Sequence, residues 1–207
     1  MPVSPKNAHG KHTKELIRDL AMELFAEHGY KGTSVRKIAS RVGIRESALY
    51  NHYTNKEDIF LSITSKIFTT PFSGNDAQEK LQENAKKGKR FLYKFMTEFK
   101  LMTFDKNYER LFRIMMIELM QNPALRKNFN EEYHDKNNKL LSGAFFIMMQ
   151  EGLIRSADPM QLANEFLAPL FYLRLQVSLL KADGQSTTPL STQFEKHVDF
   201  FWESVAL

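Results

Sequence analysis

Apolar residues recur at helical spacing along almost the whole chain. Near the N-terminus, Ile17, Ala21 and Phe25 lie on one face of a helix, because residues four positions apart are neighbours on a helix surface. We predict a helix from Thr13, a residue type that caps N-termini, to Gly29, a residue type that caps C-termini. No convincing run of alternating apolar and polar residues, the pattern of a half-buried strand, occurs in the sequence. The pattern therefore predicts an all-α protein.

Three short helices are predicted next. Thr33 or Ser34 can cap the first of them, and Gly43 supplies the tight turn before another helix over 45–52. Asn55 is a suitable cap for the third, which is the fourth helix of the chain. Two short helices on either side of one glycine form a helix-turn-helix, a motif whose second helix enters the major groove of DNA.

Longer helices follow. The fourth helix is predicted to end near Pro71, and five more are predicted at 76–103, 107–121, 123–150, 159–182 and 190–206. Helices of this length bury their apolar faces only in a bundle, and the chain is predicted to contain about nine helices in all. The predicted organisation is a flexible basic leader at 1–12, a helix-turn-helix domain at 13–62, and a larger helical domain at 63–207.

The formal net charge of +5 is unevenly distributed. Residues 1–56 contain ten Lys and Arg against five Asp and Glu, whereas residues 57–207 contain nineteen of each kind. The whole excess of positive charge therefore lies at the end that holds the helix-turn-helix. A basic segment attached to a neutral body favours a partner with a phosphate backbone.

The chain has no cysteine, which excludes disulfides, thiol nucleophiles and thiolate metal sites. The first twelve residues contain no apolar signal segment, and the densest apolar stretch, over 166–175, is too short to span a bilayer. We therefore predict a cytoplasmic protein with no membrane partner.

One ordered motif carries most of the functional information. It reads TSVRKIASRVGIRESALYNHY over 33–53 and is followed by NKED at 55–58. This stretch resembles the DNA-binding segment of the TetR family of transcriptional regulators, and the resemblance covers about residues 13–62. The resemblance implies a homodimer that binds an inverted-repeat operator in double-stranded DNA, and it favours repression. It also implies an inducer held among the middle helices, whose binding changes the separation of the two DNA heads and weakens operator affinity.

The second helix of the motif offers polar side chains on its predicted outer face. Arg45 can reach O6 and N7 of guanine, while Tyr50 and His52 can donate to phosphate. Lys56 and the amides at the start of the fourth helix form a second phosphate clamp. Glu46 leaves three alternatives open, since an acid here can serve the helix dipole, accept from cytosine N4 or repel phosphate. The predicted DNA contacts, each with a structural alternative such as capping or packing, are Thr33, Ser34, Arg36, Arg45, Glu46, Ser47, Tyr50, Asn51, His52 and Lys56.

The larger part of the chain is rich in phenylalanine and methionine. Stripes of these residues at helical spacing usually fill a core, yet a permissive apolar pocket uses the same residue types. Following the resemblance, we hypothesise an apolar or amphipathic small-molecule effector of unknown identity. The candidate effector contacts are Phe95, Phe99, Phe112, Arg113, Met116, Glu118, His134, Phe145, Met149 and Phe171.

The last two predicted helices carry apolar stripes wide enough for a second surface. The resemblance assigns these helices to a four-helix bundle between two copies of the chain, with internal packing as the alternative. A two-fold dimer also suits a palindromic operator whose half-sites lie about one helical turn apart. The candidate dimer contacts are Leu162, Phe166, Leu170, Leu173, Val177, Phe194, Val198, Phe201 and Trp202.

Two other functions remain open at the level of sequence. A helical enzyme with a carboxylate-bridged metal site is one, because Glu131 and His134 form a Glu-x-x-His pair. Such a site requires a second pair, and the sequence contains none. The other is a non-specific architectural DNA-binding protein. The sequence favours the regulator over both, and it predicts no catalytic residue, no metal and no cofactor.

Overall fold

The computed structural model describes residues 5–65 and 80–207, and these residues are organised as helices. They belong to two compact units, the first formed by the described part of Met1–Phe68 with Arg110–Arg126 and the second by the described part of Thr69–Glu109 with Lys127–Leu207. The helices are α1 Pro5–Gly32, α2 Val35–Val42, α3 Glu46–Leu49, α4 Lys56–Thr64, α5 Leu81–Ala85, α6 Lys89–Phe104, α7 Lys106–Glu118, α8 Pro123–Asn128, α9 Asp135–Gln150, α10 Pro159–Ala182, α11 Thr188–Ser191 and α12 Gln193–Val205, with a π-helical segment at Phe129–His134.

Helix α1 begins earlier than its cap signal predicts. The structure starts it at Pro5, so residues 5–12 of the predicted leader are helical, while residues 1–4 lie outside the described part of the chain. Proline suits the first helical position because its fixed φ fits the helix and its missing N–H would be unsatisfied there. The predicted C-terminal limit is confirmed, since Gly29 has a φ of 69° and interrupts the regular helix.

The first unit has its own apolar core. Ile17, Ala21 and Phe25 of α1, which the spacing predicted to share a face, are all fully buried. They pack with buried residues of α2 and α4, among them Ile38 and Phe60. Residues 110–126 also belong to this unit, although the sequence assigned them to the larger domain. The predicted end of α4 near Pro71 lies outside the described residues.

The second unit is a bundle with an aromatic centre. Phe95 of α6, Phe145 of α9, Phe166 of α10 and Phe201 of α12 are buried, and their rings meet at centroid distances of 5.1–6.2 Å. Such tilted and edge-to-face pairs stabilise a core beyond the burial of their area alone. The core therefore holds together the four longest helices of this unit.

Three of the long predicted helices are interrupted in the structure, and the one predicted over 123–150 is divided into α8 and α9 by the π-helical segment at Phe129–His134. The helix predicted over 76–103 is divided into α5 and α6 at Gly88, whose φ is +53° and whose Cβ, if present, would lie 2.8 Å from Cη2 of Trp202. Only glycine fits this position without strain. The helix predicted over 190–206 is divided into α11 and α12, whereas α10 has the predicted bounds. None of the helices in the described ranges has the length and apolar character needed to cross a membrane.

Candidate nucleic-acid interface and ligand cavity

The helix-turn-helix is fixed by capping bonds at both ends of α2. Ser34 Oγ accepts a hydrogen bond from the Lys37 amide at 3.2 Å, which confirms Ser34 as the N-cap. Gly43 lies in the left-handed region with φ +81°, and its amide donates to the carbonyls of Ala39 and Ser40 at 3.0 and 3.2 Å. This left-handed residue ends α2 and turns the chain into α3.

Helix α3 is held against the unit by two inward side chains. Leu49 is completely buried, and Tyr53 is 3% exposed with its hydroxyl donating to the Lys14 carbonyl at 3.2 Å. Burial raises the pKa of Tyr53, so the phenol stays protonated and keeps this bond. The helix covers only Glu46–Leu49, shorter than the predicted 45–52, because the residues that follow continue in tighter turns such as His52 N–H to Leu49 O.

The outer face of α3 matches the prediction from sequence. Its exposed residues and those at its ends are Arg45, Glu46, Ser47, Tyr50 and Asn51, while His52 is half-buried. Tyr50 is the one aromatic residue among the exposed five, and half of its surface is exposed. The structure thus brings six of the ten predicted DNA contacts together on and beside one short helix.

A basic cleft lies beside α2. It has a volume of about 400 Å³ and is lined by Leu24, His28, Ser34, Arg36, Lys37, Ser40 and Arg41. Ser34 and Arg36 were predicted DNA contacts, whereas Lys37, Ser40 and Arg41 were missed. Helical spacing could have identified Lys37 and Arg41, since positions 34, 37 and 41 lie on one helix face with the predicted contact Ser34. The cleft adds three cationic side chains to the polar face of α3.

Arg41 is an exposed cation of this cleft. Its Nη2 lies 3.6 Å from Glu23 Oε2, but the other carboxylate oxygen of Glu23 is 2.7 Å from Arg110 Nη2. The Arg41 side chain is also more than half exposed. Glu23 is therefore held chiefly by Arg110, and Arg41 can turn to a phosphate at little cost.

Thr33 and Lys56 have structural roles that the sequence did not reveal. The Thr33 hydroxyl is 1% exposed and contacts the carbonyls of Leu24 and Gly29 at 3.1 and 3.0 Å. Lys56 Nζ donates to the carbonyls of Tyr30 and Thr33 at 2.9 and 3.0 Å. These bonds satisfy backbone oxygens at the end of α1, where no helix partner is available. Thr33 is buried and Lys56 is half-buried, and both side chains are engaged by carbonyl groups of the chain itself.

Tyr30 completes this corner of the first unit. Its ring lies 4.0 Å from Lys56 Nζ and packs against Phe25 and Phe60, while its hydroxyl donates to Glu57 Oε2 at 2.9 Å. Burial, together with the hydrogen bond to Glu57, raises the pKa of Tyr30 to about 12. The Tyr30 amide donates to Glu118 Oε1 at 2.7 Å. We call Gly29–Thr33 with Lys56 and Glu118 the polar corner.

Four candidate effector contacts lie in the first unit. Glu118 accepts a hydrogen bond from the Tyr30 amide in the polar corner and is 8% exposed, so its carboxylate has a structural partner within the chain. Phe112 is buried at 2% exposure, and Arg113 and Met116 lie on the same helix, α7. None of these four residues lines the cavity described next.

The second unit contains an apolar cavity. It has a volume of about 280 Å³ and is lined by Phe129, His134, Asn137, Asn138, Asn164, Leu167, Ala168 and Phe171. Only His134 and Phe171 were predicted from sequence. Phe95, Phe99 and Phe145 are instead buried in the core, and Met149 is partly buried against it. The three asparagines were missed, because nothing in their spacing distinguishes a pocket wall from a solvated helix face.

The candidate dimer contacts are almost all internal. Phe166, Leu170, Val177, Phe194 and Val198 have no exposed surface within one chain, and Leu173 and Phe201 have less than a tenth. Leu162 and Trp202 are partly buried against the same core, with Trp202 beside Gly88. These nine residues therefore pack within the chain. The large exposed apolar residues of α10 and α12 are different ones, namely Met160, Tyr172, Leu179 and Phe200.

Two family models match the chain. Residues 17–63 match the model described as bacterial regulatory proteins, tetR family, and residues 90–201 match the model of the C-terminal domain of AefR-like transcriptional repressors. The second match alone covers more than half of the chain. The chain belongs to the TetR family of transcriptional regulators. As a TetR-family protein it is a DNA-binding regulator of transcription and not an enzyme, which excludes the metal-enzyme alternative.

Among the relatives of this TetR-family chain is the fatty acid metabolism regulator protein of Bacillus subtilis. It is 29% identical over 152 residues, which are 73% of this chain and 75% of that protein. A TetR transcriptional regulator from Chloroflexus aurantiacus superposes with a TM-score of 0.70 at 20% identity, covering 97% of this chain and 99% of that one. SmeT, a repressor from Stenotrophomonas maltophilia, superposes in its triclosan complex with a TM-score of 0.67 at 18% identity, covering 95% and 92%. The all-α fold, with an N-terminal helix-turn-helix and a C-terminal helical domain, is confirmed.

Proposed function

We propose that the chain is a sequence-specific repressor that binds an inverted-repeat operator as a homodimer and is released by a small apolar or amphipathic effector. The observation that carries the proposal is the exposed polar face of α3 beside the basic cleft of α2, within the segment that matches the family's DNA-binding model. A short helix with a buried inner side and a polar outer side is what major-groove recognition requires.

The exposed residues divide by the DNA groups that they can reach. Arg45, Ser47 and Asn51 have side chains suited to base edges, with Arg45 matching guanine. The second set contacts phosphate and comprises Ser34, Arg36, Lys37, Arg41, Tyr50 and His52. Glu46 stands in the first turn of α3, where its charge favours the helix dipole and restricts which base can lie opposite.

The test of this function is the selection of binding sites from random duplex DNA by the purified chain at low and physiological salt. Recovery of an inverted repeat is expected, because each subunit of a two-fold dimer reads one half-site. Binding without a recovered sequence would contradict the proposal and identify a non-specific DNA-binding protein, whose affinity comes from phosphates alone.

Arg45 and Arg41 are expected to differ in the DNA groups that they read. Arg45→Ala should cost about 1–3 kcal/mol of binding free energy at one base pair of the selected operator, because a bidentate contact to guanine is lost. Arg41→Ala should weaken binding to all sequences and lower the slope of log affinity against log salt by about one. Both effects are measured by fluorescence anisotropy titrations on operator and single-base variants at several salt concentrations.

Lys139→Ala is the control for this pair, since Lys139 is an exposed cation of α9 in the second unit. It should leave operator affinity and the salt slope unchanged. Equal losses on every sequence from Arg45→Ala would assign Arg45 to phosphate, and an unchanged salt slope in Arg41→Ala would remove the basic cleft from the interface.

The dimer is proposed to form through the exposed side of α10 and α12. Tyr172 and Leu179 of α10 are each 58% exposed, and Phe200 of α12 is 74% exposed. Tyr172 and Leu179 are seven positions apart and so lie on one face of α10, and large apolar side chains that share a face are typical of surfaces that a partner covers. A helical pair from each of two copies would bury them in the four-helix arrangement that the family resemblance implies.

The effector is proposed to bind in the cavity of the second unit. The cavity has aromatic walls with a few polar groups, the usual composition of small-molecule sites. The structural neighbour SmeT supports the idea, since its complex contains triclosan, a small molecule. Thermal-shift screening followed by titration of the operator complex tests the proposal, which predicts that ligands that raise the melting temperature also release the DNA.

A further inference from the structure

The walls of the cavity limit the size of the molecule that fits it. An engineered protein cavity of about 150 Å³ holds benzene, and this cavity has a volume of about 280 Å³. One or two rings therefore fill it. Phe129 and Phe171, whose ring centroids are 6.3 Å apart at an interplanar angle of 66°, provide flat apolar contact surfaces for such rings.

The walls also limit the charge of the ligand. None of the described residues that line the cavity is Asp, Glu, Lys or Arg. A carboxylate or ammonium group placed against the apolar part of the wall would lose part of its hydration and would meet no opposite charge among these residues, which is unfavourable. The polar groups of the wall are instead His134 and three asparagine amides, and neutral groups of this kind suit a neutral ligand.

One of these amides has an unused acceptor. Asn138 is 3% exposed, and its buried Oδ1 accepts no hydrogen bond from any described residue. A buried carbonyl oxygen without a donor is costly, so a ligand that supplies a donor gains more than an ordinary hydrogen bond. Asn164 also lines the cavity but is exposed, so water can satisfy its amide.

Asn138 and His134 form a polar pair in the wall of the cavity. Asn138 Nδ2 lies 3.1 Å from His134 Nε2, and His134 Nδ1 lies 3.2 Å from Asp135 Oδ1. With the ring proton on Nδ1, that nitrogen donates to Asp135, and Nε2 accepts from the amide nitrogen of Asn138. The amide oxygen is then the end of Asn138 that has no partner among the described residues.

We infer that the effector is an uncharged one- or two-ring compound whose hydroxyl or N–H group donates a hydrogen bond to Asn138 Oδ1. The inference rests on the proposed ligand-responsive function and narrows its ligand class from apolar or amphipathic molecules to neutral hydrogen-bond donors. The rings occupy the space beside Phe129 and Phe171, and Asn138 selects ligands that can donate a hydrogen bond.

Three probes that share one ring system test the inference with the full chain. They are 2-naphthol, which has a donor, 2-methoxynaphthalene, which has none, and 2-naphthoate, which is an anion. Isothermal titration calorimetry at neutral pH should give the order naphthol, methoxynaphthalene, naphthoate, with naphthol preferred over its methyl ether by about tenfold or more, because the donor satisfies an otherwise unpaired buried acceptor. Tightest binding of naphthoate, or equal binding of naphthol and its ether, would overturn the inference.

Two leucine variants test whether the preference for naphthol depends on Asn138 or on another asparagine of the cavity wall. Asn138→Leu should abolish the preference for naphthol while keeping affinity for the ether, and Asn164→Leu should keep the preference. Circular dichroism verifies that each variant is folded, and Asn138→Ala replaces Asn138→Leu if the larger side chain prevents folding. Retention of the full preference in a folded Asn138 variant would overturn the assignment.

Operator binding is measured separately on the same preparations, so that the two proposals can fail independently. Operator binding without any probe binding would refute the ligand class and leave the DNA-binding regulator intact. Probe binding with the expected order, but without a selected operator, would support the cavity assignment and refute the proposed regulatory function. Release of the operator by naphthol but not by its ether, at equal concentration, would support both.

Discussion

Replacing Phe200 with glutamate is expected to convert the proposed dimer into a monomer and to weaken operator binding by about 100-fold or more, because the avidity of two linked half-site contacts is lost. Phe200 is 74% exposed in the single chain, so the substitution should hardly affect the fold of one copy. In a two-fold interface the same change occurs twice, and two carboxylates would be buried without partners. Light scattering gives the mass, and anisotropy gives the affinity.

Leu101→Glu is the matched control for Phe200→Glu. Leu101 of α6 is 67% exposed and belongs to the same unit, but it lies on a helix outside the proposed dimer surface. We expect it to leave the dimer and its operator affinity intact. A dimeric Phe200→Glu protein, or a monomeric Leu101→Glu protein, would show that another surface joins the two copies.

The assignment of dimer residues shows what a hydrophobic stripe can and cannot predict. Helical spacing on α10 identified Phe166, Leu170 and Val177 as one apolar face, and all three are buried. The same spacing is expected whether a face packs against the chain's own helices or against a second copy. The side of α10 that contains Tyr172 and Leu179 has fewer apolar residues. It can be identified as a candidate dimer surface only after the residues of the internal core are known.

For the helix-turn-helix, the sequence predicted the inward and outward side chains as well as the helices, and the reason is physical. A helix of four residues exposes nearly every side chain that does not anchor it, so Leu49 and Tyr53 define the inner side and Arg45 and Ser47 the outer one. The cap at Ser34 and the turn at Gly43 depend on neighbouring backbone and were also predicted. These features are local, and local features can be inferred from sequence order.

Thr33 and Lys56 could not be assigned in this way, because their partners are distant in sequence. Thr33 reaches the Leu24 carbonyl nine residues earlier, and Lys56 reaches the Tyr30 carbonyl 26 residues earlier. A basic residue at the start of a helix beside a DNA-reading motif indicates phosphate binding, and only the folded corner reveals the competing carbonyl groups. The asparagines of the cavity were missed for the same reason, since a wall is formed by two helices together.

Replacing Lys56 with methionine is expected to destabilise the polar corner of the first unit. Lys56→Met keeps the length of the side chain but removes an ammonium group that donates to two carbonyl oxygens and lies 4.0 Å from the Tyr30 ring centroid. Hydrogen bonds from a charged donor contribute about 1.5–3 kcal/mol each in favourable cases, and partial exposure of Lys56 reduces this value. We therefore expect the first unit to lose about 2–3 kcal/mol of unfolding free energy, measured by urea denaturation followed by circular dichroism.

The effect of Lys56→Met on DNA distinguishes a structural lysine from a phosphate contact. If Lys56 holds the polar corner, the variant should bind operator more weakly only in proportion to its loss of folded protein, and its salt slope should equal that of the unmodified chain. Lys31→Met is the control, because Lys31 makes a single exposed bond to Gln121 Oε1 at 3.0 Å in the same corner and should cost less than about 0.5 kcal/mol. An unchanged urea midpoint together with a salt slope lower by about one would instead make Lys56 a phosphate contact, because a lost phosphate contact changes the number of released ions and not the stability of the corner.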